Sequence, residues 1–188
     1  MINPQTVLNK SRKDKFLMTF ALPNALKKIQ STTRENKLVD IDTMQFSIYG
    51  TIVPKVEKPA VEIRYSGSTL YNSAHSINPF PPVSVNFTVD NRYNNYWVIY
   101  QWLNLLQDQK TGIFDQRNLI SNDRFEDYQT SLIITGLDEF DEKVIEFTYT
   151  KAFPVGLGQL DFNYRIDDEL ECSFDFVYSQ LHINLLKV

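Results

Sequence analysis

The sequence predicts a mainly β domain: two antiparallel sheets packed as a sandwich or barrel and flanked by one α-helix. Three observations predict it. Apolar and polar residues alternate through stretch after stretch, the period-two signature of half-buried strands. That alternation gives way once, near residues 92–108, to a helical period. Strands otherwise follow strands with no regular βαβ rhythm, which favours packed antiparallel sheets over a parallel one. Aromatics at 13%, mostly Phe and Tyr, suit such sheets.

The elements follow in order. Residues 1–13 are polar and basic and read as a flexible or partner-docked arm, leaving 14–188 as the β domain. "DKFLMTFAL" is a strand with Phe16, Met18, Phe20 and Leu22 on one face. "DTMQFSIYGTIVP" places Met44, Phe46 and Ile48 on one face and has Gly50 as a bulge or bend. Residues 52–82 read as a long loop region; "AVEIRYSG" alternates within it, and 66–82 is rich in Ser, Asn and Pro. "VSVNFTVD" puts Val83, Val85, Phe87 and Val89 on one face, with Ser84, Asn86 and Thr88 on the other.

Asp90 then stands where a helix cap belongs. Ile99, Trp102, Leu103 and Leu106 make an apolar stripe on a helix over about 92–108. Residues 109–128 read as a surface excursion. "QTSLIITGLD" and "KVIEFTYT" are the next strands. "FPVGLG" reads as a break before a strand "QLDFNYRI", and "ELECSFDFVYSQLHINLL" as one long final strand. Its Leu170, Cys172, Phe174, Phe176 and Tyr178 share a face opposite Glu171, Ser173, Asp175, Val177 and Ser179.

Composition narrows the function. With 188 residues, 22% charged and 43% hydrophobic, the chain can bury the core of one folded domain. Nineteen basic residues against 23 acidic ones give a net charge of -4, not the basic footprint of a nucleic-acid grip. The one cysteine cannot close an internal disulfide and suits a reducing compartment. No stretch approaches the roughly 18 apolar residues of a membrane span, and the N-terminus has no apolar core of a secretory signal. The expectation is a soluble protein folded in a cytoplasm.

Chemistry is thinly encoded. His75 and His182 match no ligand or triad spacing. The acids of "GLDEFDEK" and "RIDDELE" fall at strand junctions, where carboxylates form turns in water. "GLG" at 156–158 lacks the pattern and helix of a phosphate loop. Cys172 reads as a small core residue. No cofactor, metal or catalytic residue is expected, and no nucleophile–base pair can be named for a hydrolase. Trp97 lies off the helical stripe, so it faces outward toward a second subunit in this reading. Tyr71 and Phe80, aromatics in a long loop, raise the same expectation.

"AFPVGLGQLDFNYRIDDELECSFDFVY" resembles the closing segment of tail tube proteins of contractile-tailed bacteriophages. Phe153, Pro154, Leu160, Phe162 and Phe174 occupy the places of the family's pattern. The order of "PPVSVNFTVD" and "YNNYWVIYQWLNLL" is similar to its central strand and single helix. The likeness spans about Asp14 to Leu185, from which the N-terminus and 109–128 depart.

The resemblance implies a tail-tube-like fold whose copies close six-fold rings around a continuous inner β-barrel, with a long loop reaching the next ring. It implies no enzyme. It implies a virion protein, assembled in the host cytoplasm, whose partners are its own copies, the tail sheath and the baseplate. Viral DNA would pass through the lumen without sequence-specific binding. On that reading Tyr71, Phe80 and Trp97 are ring or stacking contacts. Asp161, Asn163, Arg165, Glu171, Ser173 and Asp175 are lumen-facing candidates, their net negative charge repelling phosphate. A tube-like baseplate or tube-initiating protein, or the tube of a related contractile injection system, fits the same pattern. From another class, a small-ligand-binding β-barrel predicts a stable monomer with aromatics around an apolar void.

Overall fold

Nine strands and one described helix build the molecule, here a computed structural model that describes residues 10–23, 25–26, 48–76, 79–107 and 128–186. The strands are β1 (Phe16–Phe20), β2 (Ile48–Thr51), β3 (Ala60–Tyr65), β4 (Ser68–Ser73), β5 (Val83–Thr88), β6 (Thr130–Leu137), β7 (Lys143–Leu157), β8 (Glu171–Val177) and β9 (Gln180–Leu185). The helix α1 (Asn94–Leu106) falls between β5 and β6. Most of the arm expected at 1–13, Met44 and Phe46, and nearly all of 109–128 lie outside the described residues.

Two antiparallel sheets share one strand. The first half of β7 lies between β6 and β9, with β1 beyond β6. Its second half pairs with β8, which leads on to β5 and β2. The change of sheet falls near Lys151, whose φ of 53° is left-handed. The β6–β7 register slips at the same place, between Thr130 and Leu132. A non-glycine residue adopts that conformation rarely, and corners where a strand switches sheets are where it serves. The "FPVGLG" segment therefore continues β7 rather than breaking it: Phe153 and Pro154 pair with Val177 and Phe176.

The core lies where the alternating faces meet. Met18 and Phe20 of β1, Leu132 and Ile134 of β6, and Tyr149 of β7 are buried. Val83, Val85 and Phe87 of β5 and Cys172, Phe174 and Phe176 of β8 complete it. Tyr149 meets Phe176 edge-on at 5.4 Å between ring centroids, a favoured aromatic geometry. Each buried apolar side chain of this size contributes roughly 1.5–3 kcal/mol.

Helix α1 packs over this interior with a stripe one step off the expected one. Asn95, Val98, Ile99, Trp102 and Leu105 are buried, whereas Leu103 and Leu106 are only half-buried. Asp90 does support the helix start, its Oδ1 accepting from the backbone N–H of Arg92 at 2.9 Å and Asn94 at 2.8 Å. Tyr93, at φ 57°, is the turn residue just before the helix. Trp102 donates its indole N–H to the Tyr128 carbonyl at 2.7 Å, and Asn95 Nδ2 donates to the Thr88 carbonyl at 2.7 Å.

Three further expectations are corrected. The long loop at 52–82 contains a second β unit, the β3–β4 hairpin, closed by a two-residue turn with positive φ at Ser66 and Gly67. Such a primed turn matches strand twist. "QLDFNYRI" is not a strand: 158–170 carries no ladder, and the Asn163 side chain accepts from the Arg165 N–H in a local turn. The final strand is two strands, β8 and β9, divided at Tyr178 and Ser179, and the longest is β7.

Candidate functional site

The features that could do work are surfaces. The first is a set of open edges. Among the described residues, β1, β2 and β9 each pair on one side only. An open edge presents unpaired backbone N–H and C=O groups, a template for another chain.

The second is the outer face of the β7–β8–β5–β2 sheet. Because Cys172, Phe174 and Phe176 point inward, Glu171, Ser173 and Asp175 point outward. The register sets them opposite Thr88, Asn86 and Ser84 of β5. Ser84 Oγ donates to Asp175 Oδ1, and Thr51 Oγ1 donates to the Ser84 carbonyl at 3.3 Å. Partial desolvation, then the hydrogen bond and charge of Glu171, push the Tyr49 phenol up. Gly158 lies against this face, its N–H donating to the Ser173 carbonyl at 2.7 Å. A Cβ there would come within 2.9 Å of Ser173 Oγ, so the close approach requires glycine. The result is a small-residue polar face with two carboxylates and no cation on β5 or β8.

The third is the β3–β4 hairpin. All twelve strand residues are exposed. Cross-strand pairing puts Val61, Ile63, Tyr65 and Leu70 on one face and Glu62, Arg64 and Tyr71 on the other. Two strands alone are marginal in water, so the hairpin wants a partner.

The predicted residues divide among these surfaces. Glu171, Ser173 and Asp175 share the polar face; Asp161, Asn163 and Arg165 lie in the exposed 158–170 segment, outside any strand. Ser84, Asn86 and Thr88 join the polar face, a partnership the alternation of β5 allowed but register alone reveals. Tyr71 is 66% exposed on the hairpin. Phe80 is half-buried and stacks on Tyr178 at 5.2 Å within the same chain. Trp97 packs half-buried against the core.

Catalytic features do not assemble among the described residues. Among the described residues, no three His, Cys, Asp or Glu side chains converge as a metal site. His75 and His182 are exposed. Cys172 is buried, and that burial pushes its thiol up. Asp138 works as a turn former, its Oδ1 accepting from the N–H groups of Phe140 and Glu142. A depression of about 240 Å³ is lined by Gln129, Thr130, Ser131 and Lys151, polar residues rather than the aromatics a barrel ligand would meet. No described helix is long and apolar enough to cross a membrane.

Comparison with known proteins supplies the frame for these surfaces. No curated protein matches the chain. Solved structures do share its fold. A chain of the PVC sheath–tube complex, an extracellular contractile injection system in its extended state, aligns at TM-score 0.60 and 10% identity over 96% of this chain and 95% of that one. The tube-terminating cap of the anti-feeding prophage aligns at TM-score 0.61 and 12% identity over 98% and 97%. A chain of the six-fold symmetrised baseplate of the same particle aligns at TM-score 0.56 and 15% identity over all of both chains. At these identities the likeness is one of fold. The family model described as phage tail tube protein matches residues 11–184. The chain therefore belongs to the phage tail tube protein family.

Proposed function

We propose that this chain is a tail tube subunit: six copies close a ring, rings stack, and the lumen passes viral DNA. The observation that carries the reading is the sheet β7–β8–β5–β2. Its rim at β2 is unpaired among the described residues, and its outer face bears carboxylates and hydroxyls but no cation on β5 or β8. Joining such sheets around an axis removes the exposed rims and turns the polar faces toward the bore. Glu171 and Asp175 there repel phosphate, so DNA slides without sticking. The six-fold symmetry of the anti-feeding prophage baseplate, which contains a chain of this fold, supports six copies. The tail sheath and the baseplate are the partners of such a tube, in phage or in a related contractile injection particle.

The test is size-exclusion chromatography with light scattering, followed by electron microscopy. The expected species is a ring of six times the 22.0 kDa chain mass that grows into tubes with concentration. A monomer at every concentration overturns the reading. A second reading, a specialised ring at the baseplate end, is favoured by the full-length alignment with the baseplate chain. Rings that never elongate would select it.

A further inference from the structure

We propose that neighbouring copies within a ring are joined in both layers: besides any joint of the polar sheet, β9 of one copy pairs antiparallel with β1 of the next. The inference rests on the ring reading and adds a second joint, in the layer β1–β6–β7–β9.

Strand order about β7 brings these two rims together. β9 and β8 follow one another along the same edge of β7, from Ile145 opposite Leu185, through Thr150 opposite Gln180, to Phe153 opposite Val177. β6 occupies the other edge as far as Ala152, which lies opposite Thr130. Beyond Ala152 that edge of β7 is open among the described residues. One sheet therefore runs from β1 to β9 and the other from the second half of β7 to β2, four strands each among the described residues, with β7 in common. The first extends two strands to the β6 side and one to the other; the second extends three strands to that other side only. Joining β2 to the open edge of the next copy's β7 advances four strands, and the same advance sets the next copy's β1 beside β9. Rotation about a ring axis keeps each strand's sense along that axis. β9 runs against β7 and β1 runs with it, so the two meet antiparallel.

The chemistry of the rims agrees. Proteins that leave an edge free blunt it with charge, proline or a bulge. β1, "FLMTF", and β9, "QLHINL", hold no Lys, Arg, Asp, Glu or Pro, and neither ladder slips register. The rims of the polar sheet differ: β2 slips between Ile48 and Gly50, and the second half of β7 carries Pro154 and a slip before Gly156. Leu181, Ile183 and Leu185 continue the face on which Leu132, Ile134 and Tyr149 are buried, yet Ile183 is 49% and Leu185 79% exposed. Phe16, Met18 and Phe20 lie on the same face of β1, and Phe16 is only half-buried. A joint in line with the existing ladders sets Leu185 beside the next copy's Phe16 and covers both, an aliphatic–aromatic sheet pair. On the opposite face it sets the exposed His182 beside the next copy's Thr19, with no carboxylate or lysine on either rim to oppose the approach.

The experiment joins disulfide trapping to a measurement of assembly. Rings of the His182→Cys with Thr19→Cys variant, and of His182→Cys with Leu17→Cys to allow a shifted register, are oxidised and run on a denaturing gel without reductant. Antiparallel partners lie within disulfide reach. The expected result is a ladder of cross-linked species up to the full ring, absent from each single-cysteine variant and collapsed by reductant. Ile183→Lys with Leu185→Lys, at two exposed positions, is expected to keep the wild-type melting transition and to lose rings at concentrations where wild type forms them, by light scattering and electron microscopy. Wild-type rings with no ladder in either cysteine pair, or lysine-variant rings as stable as wild type, overturn this joint while leaving the ring reading intact. Should the lysine variant fail to fold, the ladder alone decides. Wild-type protein that never leaves the monomer overturns the ring reading, and this joint with it.

Discussion

Phe174 turns the alternation of β8 into stability. It is buried among β5 and β8 side chains, 6.0 Å from the Phe87 ring and 6.5 Å from Phe176. Phe174→Ala removes those contacts and leaves a cavity, so chemical denaturation should show a loss of about 3–5 kcal/mol. An unchanged midpoint would place the side chain outside the core. Tyr149 behaves differently because it carries a buried hydroxyl with no hydrogen-bond partner among the described residues. Burial, and secondarily Tyr178, push its phenol well above the ordinary value. An unfolded phenol ionises near about 10. Above that pH the unfolded chain holds fewer protons than the folded one, so stability falls as pH rises further. Tyr149→Phe should therefore flatten the alkaline limb of a stability profile. At neutral pH it should gain on the order of 1 kcal/mol by removing the orphaned hydroxyl. A loss of stability at neutral pH in the variant would mean that the hydroxyl is satisfied.

The hairpin is the element most separable from the rest. Pro59 and Ala74 close its base, the Ala74 N–H donating to the Pro59 carbonyl at 3.0 Å, and every strand residue is exposed. Deleting 60–73 across a short linker should leave the thermal midpoint nearly unchanged while tubes fail to form. A collapse of the melting transition would show that the hairpin supports the domain. Legibility varied by element for physical reasons. β5 could be read residue by residue, because Val83, Val85 and Phe87 are buried on one side and Ser84, Asn86 and Thr88 on the other. Residues 159–166 carry the same alternation but no strand, because alternation describes a face and a strand also needs a ladder partner. On α1, Leu103 and Leu106 fit a helical stripe as well as Val98 and Leu105 do. Only the position of β7 beneath the helix selects among them. The polar face was half legible: Glu171, Ser173 and Asp175 follow from β8 alone. Their partnership with β5 depends on long-range register, and Asp161, Asn163 and Arg165 fall outside any strand.

At the scale of the whole molecule, assembly should be indifferent to redox state. Cys172 is buried, its thiol within 3.5 Å of the Gly158 carbonyl, and the raised thiol holds little reactive thiolate at neutral pH. Cys172→Ser should form the same particles as wild type by electron microscopy, with or without reductant. Loss of particles in a folded variant would restore a role for the thiol. The family assignment and the surfaces meet in β7, one backbone of 15 residues woven into both layers and bent at Lys151. Tension along that backbone crosses between layers through covalent bonds, so the layers can shear only when many ladder hydrogen bonds rupture together. A cylinder walled with such units would resist twisting while a cargo moves through it, with no added cross-link.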